Sequence, residues 1–191
     1  MQPFEYIQLS SWLGRSDALY LDARVLWLQI SGMGGSFLLM WLSIEQMMKM
    51  IIMQERIKKK LHASKSSSDL EKELDGWGLE FKHNLSKLLK ELATYYPNLF
   101  TPAEIDLLKK MHRLFEGKYS SSTPIGIHIS SLNTMDCIFF KLRDLTSEDL
   151  PMSQMDMIDV DRNSTFSRLG SYTQFAYLDN PYFHQRANFR Q

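Results

Sequence analysis

Cysteine is nearly absent from this sequence, because Cys137 is the only one among its 191 residues. One cysteine excludes an internal disulfide framework and a zinc site built from thiolates. We therefore expect a reduced compartment, the cytoplasm. The sequence also lacks an excess of either charge, since 22 lysines and arginines balance 22 aspartates and glutamates. Any affinity for nucleic acid must then come from a local patch rather than from the whole chain.

Sequence motifs for bound cofactors are missing as well. Neither a Walker-type phosphate loop nor a Gly-x-Gly-x-x-Gly fingerprint occurs. Asp159 opens a calcium-like stretch, but Ser164 and Gly170 stand where such a loop needs glycine and glutamate. His112 and Glu116 are four residues apart, and two such ligands do not make a metal site. We expect no metal and no cofactor.

A signal peptide and a membrane span are not predicted either. Residues Met1–Leu9 contain Glu5 and no basic residue, unlike the start of a signal peptide. The 20 residues Val25–Ile44 carry no charge and just reach spanning length. Three glycines within Ser31–Ser36 interrupt this run. We therefore expect two helices joined by a glycine turn, and no membrane partner.

Apolar residues are abundant, and their spacing predicts helices. Hydrophobic residues make up 44% of the chain and aromatic residues 12%, enough for a sizeable core. Apolar side chains recur every three or four residues in five stretches, which predicts an all-α, up-and-down bundle of about five helices. The predicted helices are about 16–30, 36–62, 69–95, 101–116 and 131–145.

Local signals refine these helices. Ser16 or Asp17 could cap the first helix. The second helix is apolar almost all round at its start, which is typical of the central helix of a bundle. Gly76 and Gly78 could break the third helix. Thr101, followed by Pro102 and Glu104, predicts a capping box at the start of the fourth helix.

The chain divides into two parts by composition. Residues 1–150 hold all five predicted helices and form the bundle. Residues 151–191 lose the helical pattern, yet this polar segment carries seven aromatic residues. A freely disordered tail would have fewer. We expect a C-terminal strap that packs on the bundle or on a protein partner, or a segment that becomes ordered only on binding.

One basic cluster stands out at the end of the second predicted helix. It contains Arg56, Lys58, Lys59 and Lys60. Several lysines on one patch can bind the phosphates of RNA, with a strong dependence on salt. The other interpretation is a solvated helix end, because cations are favoured at a helix C-terminus.

The second and third predicted helices resemble those of the HEPN-domain superfamily. In Ser36–Lys49 an apolar run is followed by Glu45, two further apolar residues and Lys49. Lys82–Leu89 is similar to the His-x-Leu helix of that family, and Phe115–Tyr119 lies where the family often has Arg-Tyr. The resemblance covers about residues 16–145.

The resemblance implies a helical bundle that is usually a homodimer. Many HEPN proteins are metal-independent ribonucleases, in which an arginine and a histidine four to six residues later act on the scissile phosphate and the 2′-hydroxyl. Such enzymes often serve in bacterial stress or defence. Other members lack the motif and bind nucleotides, or partner a nucleotidyltransferase.

This sequence departs from the family at the catalytic motif. Arg56 and His62 are the only pair with the family's spacing, and they lie at the end of the second helix instead of near the start of a late one. We therefore expect a non-catalytic, HEPN-like protein that binds RNA, a nucleotide or a protein partner. A divergent metal-independent ribonuclease that uses Arg56 and His62 is one alternative. An unrelated helical scaffold or regulatory subunit is another.

Three polar residues match the family's polar positions and are the candidate ligand-binding residues: Glu45, Lys49 and His83. The other interpretation is a buried ion pair between Glu45 and Lys49, four residues apart on one helix, together with a surface histidine. On an ideal helix His83 would face away from Phe81 and the apolar stripe.

Overall fold

The computed structural model describes residues 3–27, 33–61, 80–117 and 131–146. Within these ranges the chain forms α-helices and no β-strand, so the predicted all-α class is confirmed. The helices are α1 (Pro3–Trp27), α2 (Met33–Leu61), α3 (Leu85–Tyr95), α4 (Pro102–Glu116) and α5 (Ser131–Asp144). The predicted strap at 151–191 lies outside the described residues and stays a prediction.

The first helix begins much earlier than the sequence predicts. It starts at Pro3, and proline is well suited to the first position of a helix because the missing N–H would have no partner there. Ser16 and Asp17 therefore do not cap it. Both are fully buried in its middle. The prediction was wrong because their partners lie on other helices, which a sequence window does not show.

Three hydroxyl hydrogen bonds join α1 to α2 in antiparallel order. Ser16 Oγ donates to the backbone oxygen of Ser43, and Ser43 Oγ donates to that of Ser16, both at 2.8 Å. Farther along, Ser36 Oγ donates to the backbone oxygen of Ala23 at 2.6 Å. Because α1 ends at Trp27 and α2 begins at Met33, the uncharged run 25–44 is divided between two helices, as predicted. Gly34 and Gly35, which were predicted to belong to the turn, lie instead in the first turn of α2.

The second helix is the centre of the bundle, as the sequence predicts. It contacts each of the other four helices. Its segment Gly35–Lys59 is long and apolar enough to cross a membrane, but 72% of the most apolar window is buried inside the protein. The core helix of a soluble protein has this property, because its neighbours cover it on several sides.

Buried ion pairs and stacked rings join α1 to α5. Arg24 donates to Asp136, and Arg143 donates to Asp17 at 3.1 Å. The two pairs are seven residues apart on both helices, so α1 and α5 run antiparallel. Burial raises the pKa of the Asp136 carboxyl, and the nearby Arg24 guanidinium counteracts this effect.

The third predicted helix is interrupted by a turn. Residues 81–84 leave the helical path, and Lys82 has a positive φ of 45°. Asn84 then caps α3, since its side chain accepts a hydrogen bond from the Lys87 N–H at 2.9 Å. A continuous helix through these residues was therefore a wrong prediction. Gly76 and Gly78, the predicted break, lie outside the described residues.

The fourth helix begins where the sequence predicts. Thr101 and Glu104 form the predicted capping box, with the Thr101 N–H donating to Glu104 at 2.7 Å. Glu104 is buried and also accepts hydrogen bonds from Lys141 of α5, at 2.7 and 2.9 Å. Burial alone would raise the pKa of Glu104, but the hydrogen bonds from Lys141 and Thr101 lower it. The cap thus also attaches α4 to α5.

Candidate functional site

A groove of about 400 Å³ opens between α1, α2 and the turn that precedes α3. We call it the α1–α2 groove. It is lined by Trp12 and Arg15 of α1, by Leu42, Glu45, Gln46 and Lys49 of α2, and by His83 of the turn. Its lining therefore includes all three polar residues that the sequence proposes as ligand-binding candidates.

Glu45 is the centre of the polar part of this groove. Its side chain is buried, with 3% of its surface exposed. It forms an ion pair with Lys49, one turn farther along α2, as the sequence predicts. Both carboxylate oxygens also lie 3.0 Å from His83 Nδ1. One buried carboxylate thus holds an ammonium group and an imidazole ring at the rim of the groove.

His83 has an environment that differs from the one predicted. On a continuous helix it would face away from the apolar stripe, but it lies in the turn before α3. There its ring contacts Phe115 of α4, with ring centroids 4.8 Å apart, while 55% of its side chain stays exposed. This turn brings His83 to Glu45. The predicted orientation of His83 was wrong because the backbone leaves the helical path at residues 81–84.

Two residues of the groove were missed by the sequence analysis. Trp12 and Arg15 precede the predicted start of the first helix, and so were not considered. A signal was available: Leu9 and Leu13 continue the spacing of the apolar residues of α1, and both are almost fully buried. Extending the helix toward Pro3 places Trp12 and Arg15 one turn apart on it.

The charge of the groove is positive. Arg15 and Lys49 face a single carboxylate, Glu45, which leaves one net positive charge when His83 is neutral. Arg15 is exposed. Trp12 and Leu42 add partly buried apolar surface beside these charges. An anionic ligand with an aromatic part fits this combination, because the indole ring can stack while the cations bind the anion.

A second groove does not offer this chemistry. It has a volume of about 160 Å³ and lies between α3 and α4, where Leu89, Leu92 and Ile105 contribute to its walls. None of its lining residues is charged. Among the described residues, the α1–α2 groove is therefore the better candidate for a charged ligand.

Arg56, the candidate catalytic arginine, is held by two carboxylates. Its guanidinium group lies 2.6 Å from Glu80 and 2.6 Å from Glu91, and it stacks over the Phe81 ring at 5.2 Å. These contacts attach the end of α2 to the segment around α3. His62, its proposed catalytic partner, lies outside the described residues.

One further residue of the predicted basic cluster, Lys58, has an acidic partner. Lys58 pairs with Glu55 at 3.2 Å, and the Tyr96 hydroxyl donates to the same carboxylate at 2.8 Å. Lys59 is exposed, and the side chain of Lys60 is outside the described part of the chain. Carboxylates thus accompany Arg56 and Lys58 and reduce the positive potential that these two residues would offer to RNA.

The Arg56–Glu80 pair gives an expected dependence of stability on pH. The hydrogen bond from Arg56, together with a smaller effect of Lys87, lowers the pKa of Glu80 from its ordinary value of 4.5 to about 2. Since the folded value is the lower one, the pair stabilises the fold above pH 4.5, and this contribution disappears as the pH falls toward 2. We expect Glu80→Gln to cost about 1 kcal/mol or less at pH 7, because the pair is partly exposed.

Urea unfolding at pH 7, 4 and 2.5 measures this contribution. The difference in unfolding free energy between the wild type and Glu80→Gln should shrink as the pH falls. Asp22→Asn, which removes an exposed carboxylate from α1, gives the baseline for losing one acidic group. A difference that is the same at all three pH values would contradict the role of the Arg56–Glu80 pair.

A metal-binding cluster does not occur within the described ranges. No group of three or more histidine, cysteine, aspartate or glutamate side chains is close enough there to hold an ion. His112 Nε2 lies 3.2 Å from Glu116 and forms an ion pair with it when protonated. The His112 ring also packs beside Trp41, with centroids 5.1 Å apart. These contacts suit a structural histidine.

Comparison with known proteins adds no relative. No protein-family model, curated protein or solved structure matches this chain. The resemblance to the HEPN-domain superfamily therefore stays a prediction from the sequence, and the candidate site rests on its own geometry.

Proposed function

We propose that this chain is a non-catalytic, HEPN-like helical protein that binds a nucleotide in the α1–α2 groove. The observation that supports this proposal most is the meeting of Arg15, Lys49 and His83 beside the indole ring of Trp12. Cationic side chains bind phosphate through charge-assisted hydrogen bonds, and tryptophan offers a face for base stacking. The groove is also within the usual size range of small-molecule sites.

A nucleotide is favoured over a long RNA strand by the small number of cations that line the groove. The groove keeps a net positive charge, whereas carboxylates balance Arg56 and Lys58 at the end of α2. A long RNA strand needs a basic track that neutralises many phosphates. A mononucleotide needs only one anion site and one stacking surface.

Calorimetric titration with the 5′-mononucleotides AMP, GMP, CMP and UMP tests the proposal. We expect at least one of them to bind the wild type. The double variant Arg15→Gln/Lys49→Gln should bind it at least tenfold more weakly, since two charge-assisted contacts are lost. Lys90→Gln, which removes an exposed lysine of α3, is the matched control and should bind as the wild type does. Absence of binding for all four nucleotides would refute the proposal.

The alternatives give different results in the same set of proteins. RNA binding by the basic cluster would be lost in the triple variant Lys58→Gln/Lys59→Gln/Lys60→Gln and kept in Arg15→Gln/Lys49→Gln. A ribonuclease would cleave RNA in the presence of a chelator and lose this activity in Arg56→Ala and His62→Ala. The homodimer and the bacterial stress or defence setting are implied by the resemblance to the HEPN-domain superfamily, and the cytoplasmic location by the single cysteine. All three stay predictions.

A further inference from the structure

The contact between Glu45 and His83 fixes the tautomer of the histidine ring. An ionised carboxylate accepts hydrogen bonds and donates none. Because Nδ1 of His83 lies 3.0 Å from both oxygens of Glu45, Nδ1 carries the hydrogen and donates it. In the neutral ring, Nε2 then has only a lone pair. It can donate a hydrogen bond to an anion only after the ring takes up a proton.

Besides Lys82, its neighbour in the turn, His83 has charged residues near it from two helices. From α2, Glu45 contacts the ring directly and Lys49 contacts the same carboxylate. From α1, Arg15 lines the groove with it. From α4, the ring meets Phe115, which is uncharged. The groove therefore carries one net positive charge with a neutral imidazole and two with an imidazolium.

Phosphate esters differ in how well their charge matches the groove with a neutral His83 or with a protonated His83. A phosphomonoester carries roughly 1.5 to 2 negative charges at pH 7, whereas a phosphodiester carries one. A nearby anion favours the charged form of a histidine. Glu45 is one such anion in the free groove, and a dianionic ligand adds a larger effect than a monoanionic one. The imidazolium form also supplies the additional donor, Nε2–H, where the neutral ring supplies none.

We infer that the α1–α2 groove selects ligands with a phosphomonoester group and takes up a proton at His83 when it binds them. The inference rests on the proposed function and narrows its ligand from nucleotides in general to those with a terminal phosphate. Glu45 is the positioning residue, because it holds Nδ1 and leaves Nε2 for the ligand. Arg15 and Lys49 supply the permanent charge.

AMP and 3′,5′-cyclic AMP form the test pair. They have the same base and sugar, but AMP carries a phosphomonoester and cyclic AMP carries a phosphodiester. Titration calorimetry of the full chain at pH 7, in two buffers with different ionisation enthalpies, gives both affinity and proton uptake. We expect AMP to bind about tenfold more tightly than cyclic AMP, the effect of one added charge-assisted hydrogen bond. We also expect the heat of AMP binding, and not that of cyclic AMP, to depend on the buffer.

The variant His83→Gln tests whether His83 is the group that takes up the proton. Its amide keeps a hydrogen-bond donor but does not titrate, so AMP should still bind while the buffer dependence disappears. His112→Gln, a histidine of α4 outside the groove lining, is the matched control and should keep the proton uptake. Persistence of the uptake in His83→Gln would place the proton elsewhere, for example on the phosphate itself, and would overturn the inference.

The possible failures are distinguishable. Equal affinities for AMP and cyclic AMP, or AMP binding without proton uptake, would overturn the inference and leave nucleotide binding in place. If neither compound binds and none of the four mononucleotides does, the proposed function fails and the inference fails with it.

Discussion

Replacing Asp17 by asparagine is expected to destabilise the fold by about 3–5 kcal/mol, because it removes the carboxylate that pairs with a buried guanidinium. Asp17 and Arg143 are both fully buried, and the Arg143 Nε donates to the carboxylate at 3.1 and 3.3 Å. Since domains of this size have a total stability of only about 5–15 kcal/mol, this one substitution should remove a large part of it. Urea unfolding monitored by circular dichroism measures the loss.

Two further variants separate the charge from the packing. Arg143→Met leaves a buried carboxylate, which can take up a proton, so its cost should fall as the pH is lowered from 7 to 5. Asp17→Asn leaves an arginine, which does not lose its proton, so its cost should stay constant over that range. The double variant Asp17→Leu/Arg143→Met should lie within about 2 kcal/mol of the wild type, because apolar replacement of a whole pair is often neutral. A double variant as unstable as Asp17→Asn would contradict this account.

The helical class of the fold follows from the sequence because it depends on local periodicity. α4 shows this most clearly, since Thr101, Pro102 and Glu104 carry a complete start signal within four residues. The central position of α2 follows for a similar reason. Its apolar residues surround the helix on all sides, and such a helix is stable in water only when its neighbours cover it.

The polar interior of α1 could not be predicted in the same way. Asp17 and Arg24 pair with residues of α5 that are more than 100 positions away in the chain. Their structural role depends on which helices pack against each other, and the spacing of residues along the chain does not give this information. Ser16, taken from the sequence as a cap, is instead a hydroxyl that bonds to Ser43.

The candidate site combines one contact that the sequence predicts with others that it does not. The Glu45–Lys49 pair is local, so its spacing on one helix predicts it. The meeting with His83 depends on the turn at 81–84, where Lys82 adopts a positive φ that non-glycine residues seldom adopt. Trp12 and Arg15 depend in turn on α1 beginning at Pro3. The sequence therefore named three of the residues that line the groove, but their arrangement required the tertiary structure.

The second large effect is expected for Phe139→Ala, which should cost about 3–5 kcal/mol. Phe139 is fully buried in α5, and its ring stacks on Tyr20 of α1 with centroids 3.9 Å apart. It also meets the Phe140 ring edge-on at 5.3 Å. Truncation removes both ring contacts and leaves a cavity that α1 and α5 cannot close without moving the ion pairs on either side.

Phe139→Leu is the control that keeps most of the buried volume, and it should cost roughly 1–2 kcal/mol. Because α5 contributes no residue to the α1–α2 groove, both variants should bind AMP with the wild-type affinity at a temperature where they stay folded. The pair thus separates stability from binding. If AMP affinity falls in step with stability, the stacking of Phe139 on Tyr20 also sets the position of α1. Trp12 and Arg15 would then depend on α5 for their place in the groove.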